Sequence, residues 1–248
     1  MRGVGAGGVT TAAVRRTRPQ VFTGAVVVAL AAINVTDHLL HPPWWVRALE
    51  GVGLLAGARL VGGLTWSELG LGRERLRSGC LWGLGAVGVA AVVYTVGVLL
   101  PPFRPAFQDV RYHVPLPEAL RAAVVVIPFG TVLLEELAFR SVLWGALARH
   151  CRPWQVLVTT SGLFGLWHIL PSLHVGETNR GVAHAVGGGG NALVVVGTVA
   201  LTTIGGLVFG ELRRRSGSVL ASAGAHWATN ALGILFGLVA WHLSPQGG

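Results

Sequence analysis

The sequence predicts an all-α, polytopic bundle of about seven membrane-spanning helices, on three grounds. Hydrophobic residues make up 52% of the 248 positions and charged residues only 12%, about half the charged share of a soluble domain, and the mean hydropathy is +0.62. The apolar residues gather in runs of about 20, the length a helix needs to cross the hydrocarbon core. All 19 basic residues are arginine, grouped in short clusters between those runs, which is how a membrane protein distributes positive charge. The same balance excludes a disordered chain, which requires low hydrophobicity. A net charge of +9 would suit a nucleic-acid binder, but its placement between apolar runs points to a lipid bilayer and to no nucleic-acid partner. Two cysteines exclude a disulfide scaffold.

The first segment, 21–40, follows an N-terminal arm bearing Arg2, Arg15, Arg16 and Arg18. A cleaved signal peptide is disfavoured, because no clear small-residue cleavage site follows. The second segment, 44–64, is interrupted by Arg47, Glu50 and Arg59 and is expected at the interface or packed inside the bundle. The third covers 79–100. The fourth, 119–148, is longer than a crossing requires and should tilt or project beyond the bilayer. The fifth, 154–171, is short and ends at Pro171, and the last two are 191–211 and 218–242.

With the N-terminus in the cytoplasm and seven alternating crossings, Arg2, Arg15, Arg16, Arg18, Arg73, Arg75, Arg77, Arg149, Arg152, Arg213, Arg214 and Arg215 fall inside. Only Arg104, Arg111 and Arg180 fall outside, the asymmetry the positive-inside rule expects. The chain is therefore expected to be a multi-pass cell-membrane protein with a cytoplasmic N-terminus. Cys80 and Cys151 then sit at cytoplasmic helix ends, where thiols stay reduced. The connection from Ser172 to Gly190, with His174, His184 and a glycine run, reads as a flexible outside loop. Gly53/Gly57, Gly79/Gly83, Gly206/Gly210 and Gly233/Gly237 have the spacing of close helix approach, read here as internal packing. Two parts are expected: the arm and first three segments, 1–118, and a helical core, 119–248.

Ionisable groups inside a span cost about 2.5–3.5 kcal/mol each on insertion scales, so they mark function by default. The fourth segment holds Glu135, Glu136 and Arg140, the fifth His168, and the seventh His226 with Asn230. Glu136 and Arg140 share a helix face, as do His226 and Asn230. Glu135 points about 100° from Glu136, so one carboxylate can pair with Arg140 while the other faces a cavity. Counted along their helices, Glu135, His168 and His226 all lie roughly 12–21 Å from the cytoplasmic end. A carboxylate beside imidazole can draw a proton from water and hand it to a leaving amine. An amide and a second imidazole can steady an oxyanion. Alternatively Glu135, His168 and His226 could hold zinc with water in the fourth position. Either route hydrolyses an amide. A proton-coupled transporter or a non-catalytic scaffold built on the same cluster is the competing reading; the sequence lacks the internal repeat that transporters often show. There is no H-E-x-x-H, no G-x-S-x-G and no lysine for a phosphate loop. The only aspartates, Asp37 and Asp109, sit at or beyond segment ends.

Glu135-Glu136-Leu137-Ala138-Phe139-Arg140 resembles the first motif of the CPBP family, the CAAX protease and bacteriocin-processing membrane enzymes. Phe164-Gly165-Leu166-Trp167-His168 resembles the second and His226-Trp227-Ala228-Thr229-Asn230 the third. The stretch Gly206 to Ser218 is similar to the family's usual approach to that third motif. The resemblance covers about 119–242, and Ser141 departs from it where many members have glycine. It implies an all-helical intramembrane endopeptidase with a cavity facing the cytoplasm. Glu135 would activate water, His168 would orient or share the proton, and His226 with Asn230 would stabilise the oxyanion. Glu136 and Arg140 would hold the first motif in place. Members are described both as metalloproteases and as metal-independent glutamate proteases, so the cofactor expectation is zinc or none. The expected partner is a peptide at the membrane, either a C-terminal segment or a leader.

Overall fold

Proline and glycine set most of the helix ends in the computed structural model, which describes residues 18–110, 113–173 and 190–244. Arg2, Arg15, Arg16, Arg111 and Arg180, and the histidines His174 and His184, lie outside the described residues. Helix α1 (Pro19–Leu40) starts on Pro19, whose missing N–H costs nothing in the first turn. It stops at His41, the one described non-glycine residue with positive φ (47°), and Pro42-Pro43 follow. Next come α2 (Trp44–Leu60) and α3 (Leu76–Leu99). Helix α4 (Leu116–Ala148) runs 33 residues. Its ladder widens into π-helical turns at Ala122–Val126, Pro128–Val132 and Glu136–Leu143. Pro128 removes one ladder donor, and such widened turns recur at functional segments.

Helix α5 (Pro153–Trp167) is capped by Gln155, whose side chain accepts from the Arg152 N–H at 2.8 Å. Helix α6 (Gly190–Ser216) turns through Gly217 (φ 72°) into α7 (Val219–Leu243). Ser218 caps α7 by accepting from the Leu220 N–H, and a further π turn covers Ala228–Leu232.

Contacts fix the helix directions. Thr23 meets His150 at 2.9 Å and Asn34 meets the Trp167 carbonyl at 3.0 Å, so α1 and α5 run parallel. Gly130 faces Trp44 and Gly51 faces Leu134, so α2 and α4 run parallel. Gly83 faces Gly224, and the Tyr94 hydroxyl donates to the Thr229 carbonyl at 2.9 Å, so α3 and α7 run parallel. Arg47 pairs with Asp37 at 2.7 Å, which makes α1 and α2 antiparallel. Gly206 lies on Ser161 while Gly165 lies on Val199, so α5 and α6 are antiparallel. Thus α1/α5, α2/α4 and α3/α7 are parallel pairs, and α1/α2 and α5/α6 antiparallel ones.

Five of them are long and apolar enough to cross a membrane: α1, α3 (counted from Arg73), α4, α6 (counted from Asn191) and α7. Helix α2 has 17 residues and α5 has 15, about 25 and 22 Å of rise. Half of the α4 window is buried, against 11% for α3, so α4 is the central helix. The Gly79/Gly83 and Gly206/Gly210 pairs lie in helix contacts. A Cβ on Gly224 would come within 2.9 Å of Gly83 Cα, so this crossing admits only glycine. Gly53 and Gly57 face no atom within 4 Å.

One feature absent from the sequence pattern is the link 61–72, which folds back into the bundle with Leu64 and Leu69 fully buried. Arg149 donates to the Gly62 and Gly63 carbonyls, each at 2.7 Å, and to the Glu68 carboxylate at 2.7 Å. Those bonds hold the Glu68 carboxyl down at about 2. Arg213 donates to the carbonyls of Glu68 and Arg140, both at 3.1 Å. These two arginines, expected only as charges at the helix ends, also tie the link to the motif-bearing helix.

Candidate active site

Three helices bring Glu135, Glu136, Arg140, His168 and His226 together. Glu135 and Glu136 sit on α4 where the ladder passes into its longest π turn. His168 ends α5, with φ −84° and ψ 1°, and His226 lies in the second turn of α7. Glu135, Glu136, Arg140 and His226 are buried. The His168 side chain is 20% exposed and is the open side of the cluster.

Glu135 stands at the centre. Its Oε2 lies 3.6 Å from His226 Nε2 and 3.9 Å from His168 Nε2, and it is buried with no hydrogen-bond partner. Its Oε1 accepts from the Trp167 indole at 3.2 Å. His168 Nδ1 lies 2.8 Å from the Phe164 carbonyl. A carbonyl only accepts, so Nδ1 carries a proton, and Nε2 is the ring nitrogen turned toward Glu135. His226 Nδ1 lies 3.0 Å from Glu136 Oε1, and its Nε2 is the ring nitrogen turned toward Glu135. Glu136 therefore orients His226 as well as facing Arg140, whose Nη1 is 3.5 Å away.

Arg140 is 1% exposed and neither Nη has a hydrogen-bond partner. Its guanidinium rests 3.9 Å above the Phe164 ring, a cation–π contact that partly compensates its burial. Phe209 stacks on the His226 ring at 5.0 Å, and Phe164 meets both imidazoles edge-on. Asn230, in the π turn of α7, makes no side-chain hydrogen bond to a described residue and is partly exposed.

Sequence reasoning passed over Trp167. The available signal was its position beside His168, since a buried indole N–H seeks an acceptor. Trp167→Phe keeps the ring and removes the donor. It is expected to lower turnover about 10-fold, the scale of one hydrogen bond to a charged group, with an unchanged melting temperature, measured by peptidase assay and thermal unfolding in detergent.

Helix α5 runs away from Arg149 and Arg152, and His168 is its terminal residue. The polar pocket formed by Asn34, Asp37, Arg47, Leu170 and Pro171 beside it therefore lies at the opposite end.

A tetrahedral zinc site with bonds of about 2.0–2.1 Å needs ligand atoms about 3.3 Å apart. The two measured separations here, 3.6 and 3.9 Å, are wider. Among the described residues no group of three His, Cys, Asp or Glu side chains is arranged to hold a metal ion. Glu135, His168 and His226 do not fit the group.

A family model described as type II CAAX prenyl endopeptidase Rce1-like matches residues 117–232. That span contains all six motif residues and runs from the start of α4 into α7. No curated protein and no solved structure matches the chain.

Proposed function

We infer, from residues 117–232 being an Rce1-like domain of the CPBP type in a multi-pass membrane protein, that this membrane peptidase uses Glu135 to activate water against a peptide bond. The observation that carries this reading is Glu135 Oε2, a buried acceptor without a partner between two imidazole nitrogens. Buried polar atoms are almost always hydrogen-bonded. A water placed there donates one hydrogen to Oε2 and one to an Nε2, leaving an oxygen lone pair for the substrate carbonyl carbon.

As the new C–O bond forms, the water proton passes to Glu135, the general base. His168 holds the water through its bare Nε2. Trp167 keeps Oε1 occupied, so Oε2 faces the water. With Glu136 against Nδ1, His226 enters the reaction as an imidazolium, and its Nε2–H, kept throughout, donates to the oxyanion with the Asn230 amide. Collapse of the tetrahedral intermediate breaks the C–N bond, and Glu135 returns its proton to the leaving nitrogen. Glu136 and Arg140 are the structural support of this arrangement.

The arginine asymmetry supports a cytoplasmic N-terminus. The hydrolytic route is tested by cleaving a membrane-anchored peptide with the purified protein in ¹⁸O water. One labelled oxygen is expected in the new carboxyl group, and unlabelled product would discard direct attack by water.

A further inference from the structure

Arg213 is a buried cation with no part in the hydrolytic scheme. It lies in the last turn of α6 and is 6% exposed, yet among the described residues no carboxylate pairs with it. Burying an unpaired charge is costly, and an apolar side chain would fill the same space at less cost. What the guanidinium supplies instead is a rigid fork of N–H donors. Its Nε donates to the Arg140 carbonyl and its Nη2 to the Glu68 carbonyl, both at 3.1 Å.

The Arg140 carbonyl lies in the π turn Glu136–Leu143. In an α-helix it would accept from the Trp144 N–H, four residues on. Here the Trp144 N–H turns to the Phe139 and Ser141 carbonyls, and Arg213 brings a donor from another helix. A buried carbonyl that has lost its ladder donor needs a replacement, so Arg213 favours the widened register over a plain α one. Each residue of slip in a helix turns the side chains beyond it by about 100°. Glu136 and Arg140 stand within this turn, directly after Glu135.

The second bond leads to α7. Glu68 belongs to the link 61–72, and Gly70, two residues on, has φ 71°. A Cβ there would stand 2.5 Å from Arg213 Cζ, so the missing side chain makes room for the guanidinium. The Gly70 carbonyl accepts at 3.0 Å from the N–H of Val219, the first residue of α7, about two turns before His226. One guanidinium thus indexes the carboxylate-bearing helix and the His226-bearing helix against the same link. The contacts this frame sets are Glu136 to His226 at 3.0 Å and Glu135 to His226 at 3.6 Å.

We propose that Arg213 is a positioning residue for hydrolysis, holding the π turn of α4 open and keeping Glu135 and Glu136 in register with His226. This rests on the peptidase reading above and adds to it a determinant of turnover outside the three motifs. Arg213→Met and Arg213→Lys are made in the full-length protein. Cleavage of a membrane-anchored peptide and amide hydrogen exchange are then measured on the same preparations.

Arg213→Met keeps the length and removes both donors, so kcat is expected to fall about 10-fold, the scale of a charge-assisted hydrogen bond, with KM unchanged. Amides of 136–147 and 219–227 should exchange about 10-fold faster, while those of 233–243 keep their rates. Arg213→Lys retains the charge and one donor without the planar fork, and should regain about a third of the wild-type kcat at unchanged KM. A wild-type kcat in Arg213→Met, or an equal loss in both variants, would overturn the proposal. Should Arg213→Met fail to fold, a wild-type kcat or a raised KM in Arg213→Lys would overturn it alone. Faster exchange in both segments, with no peptide cleaved even by the wild type, would instead overturn the peptidase reading and leave the Arg213 frame standing.

Discussion

Glu135→Gln is expected to lower peptide cleavage by about 10²–10⁴-fold, the contribution of a positioned general base. The substitution is nearly isosteric, and its amide oxygen can still accept from Trp167, whose indole now lies 3.2 Å from Oε1. What disappears is the proton acceptor at Oε2, the atom between His168 and His226. Expression, membrane insertion and melting temperature should stay near wild type, because an uncharged side chain is easier to bury than a carboxylate. Normal cleavage of a confirmed substrate by this variant would remove Glu135 from the mechanism.

Glu136→Ala should act on stability as strongly as Glu135→Gln acts on rate. The change strips the counter-charge from Arg140, which is 1% exposed with both Nη groups unbonded, and frees His226 Nδ1. Breaking a buried pair from one side costs about 3–5 kcal/mol, since the remaining charge keeps its desolvation penalty. The Phe164 contact offsets only part of this, about 2 kcal/mol for a desolvated cation. Thermal unfolding in detergent should show the loss. The double variant Glu136→Ala/Arg140→Met should recover much of the stability without recovering turnover, because His226 still lacks the partner that orients it.

The helices and the three motifs were legible because they follow from local rules. Apolar runs gave seven segments, and each is a helix in the structure, five of them long and apolar enough to cross a membrane. A buried ionisable residue announces itself in any apolar run, as Glu135 and His226 do. What such a residue does not announce is its partner. Spacing of four tied Glu136 to Arg140, yet His226 comes closer, at 3.0 Å against 3.5 Å. The widened turn from Glu136 to Leu143 changes which side chains stack, and hydropathy periodicity does not register a π turn.

The link 61–72 was unreadable for a related reason. Its burial depends on Arg149 and Arg213, which come from the end of α4 and from α6, far along the chain. The end position of His168 on α5 likewise emerged only with the fold.

The central claim is that the Glu135 carboxylate itself activates the water. Its most direct test is elemental analysis and peptide cleavage on one preparation, before and after exhaustive dialysis against a chelator. Direct activation by Glu135 requires the cleavage rate to persist when bound metal falls far below one ion per chain. A rate that falls in step with bound zinc, and returns when zinc is added back, would contradict it.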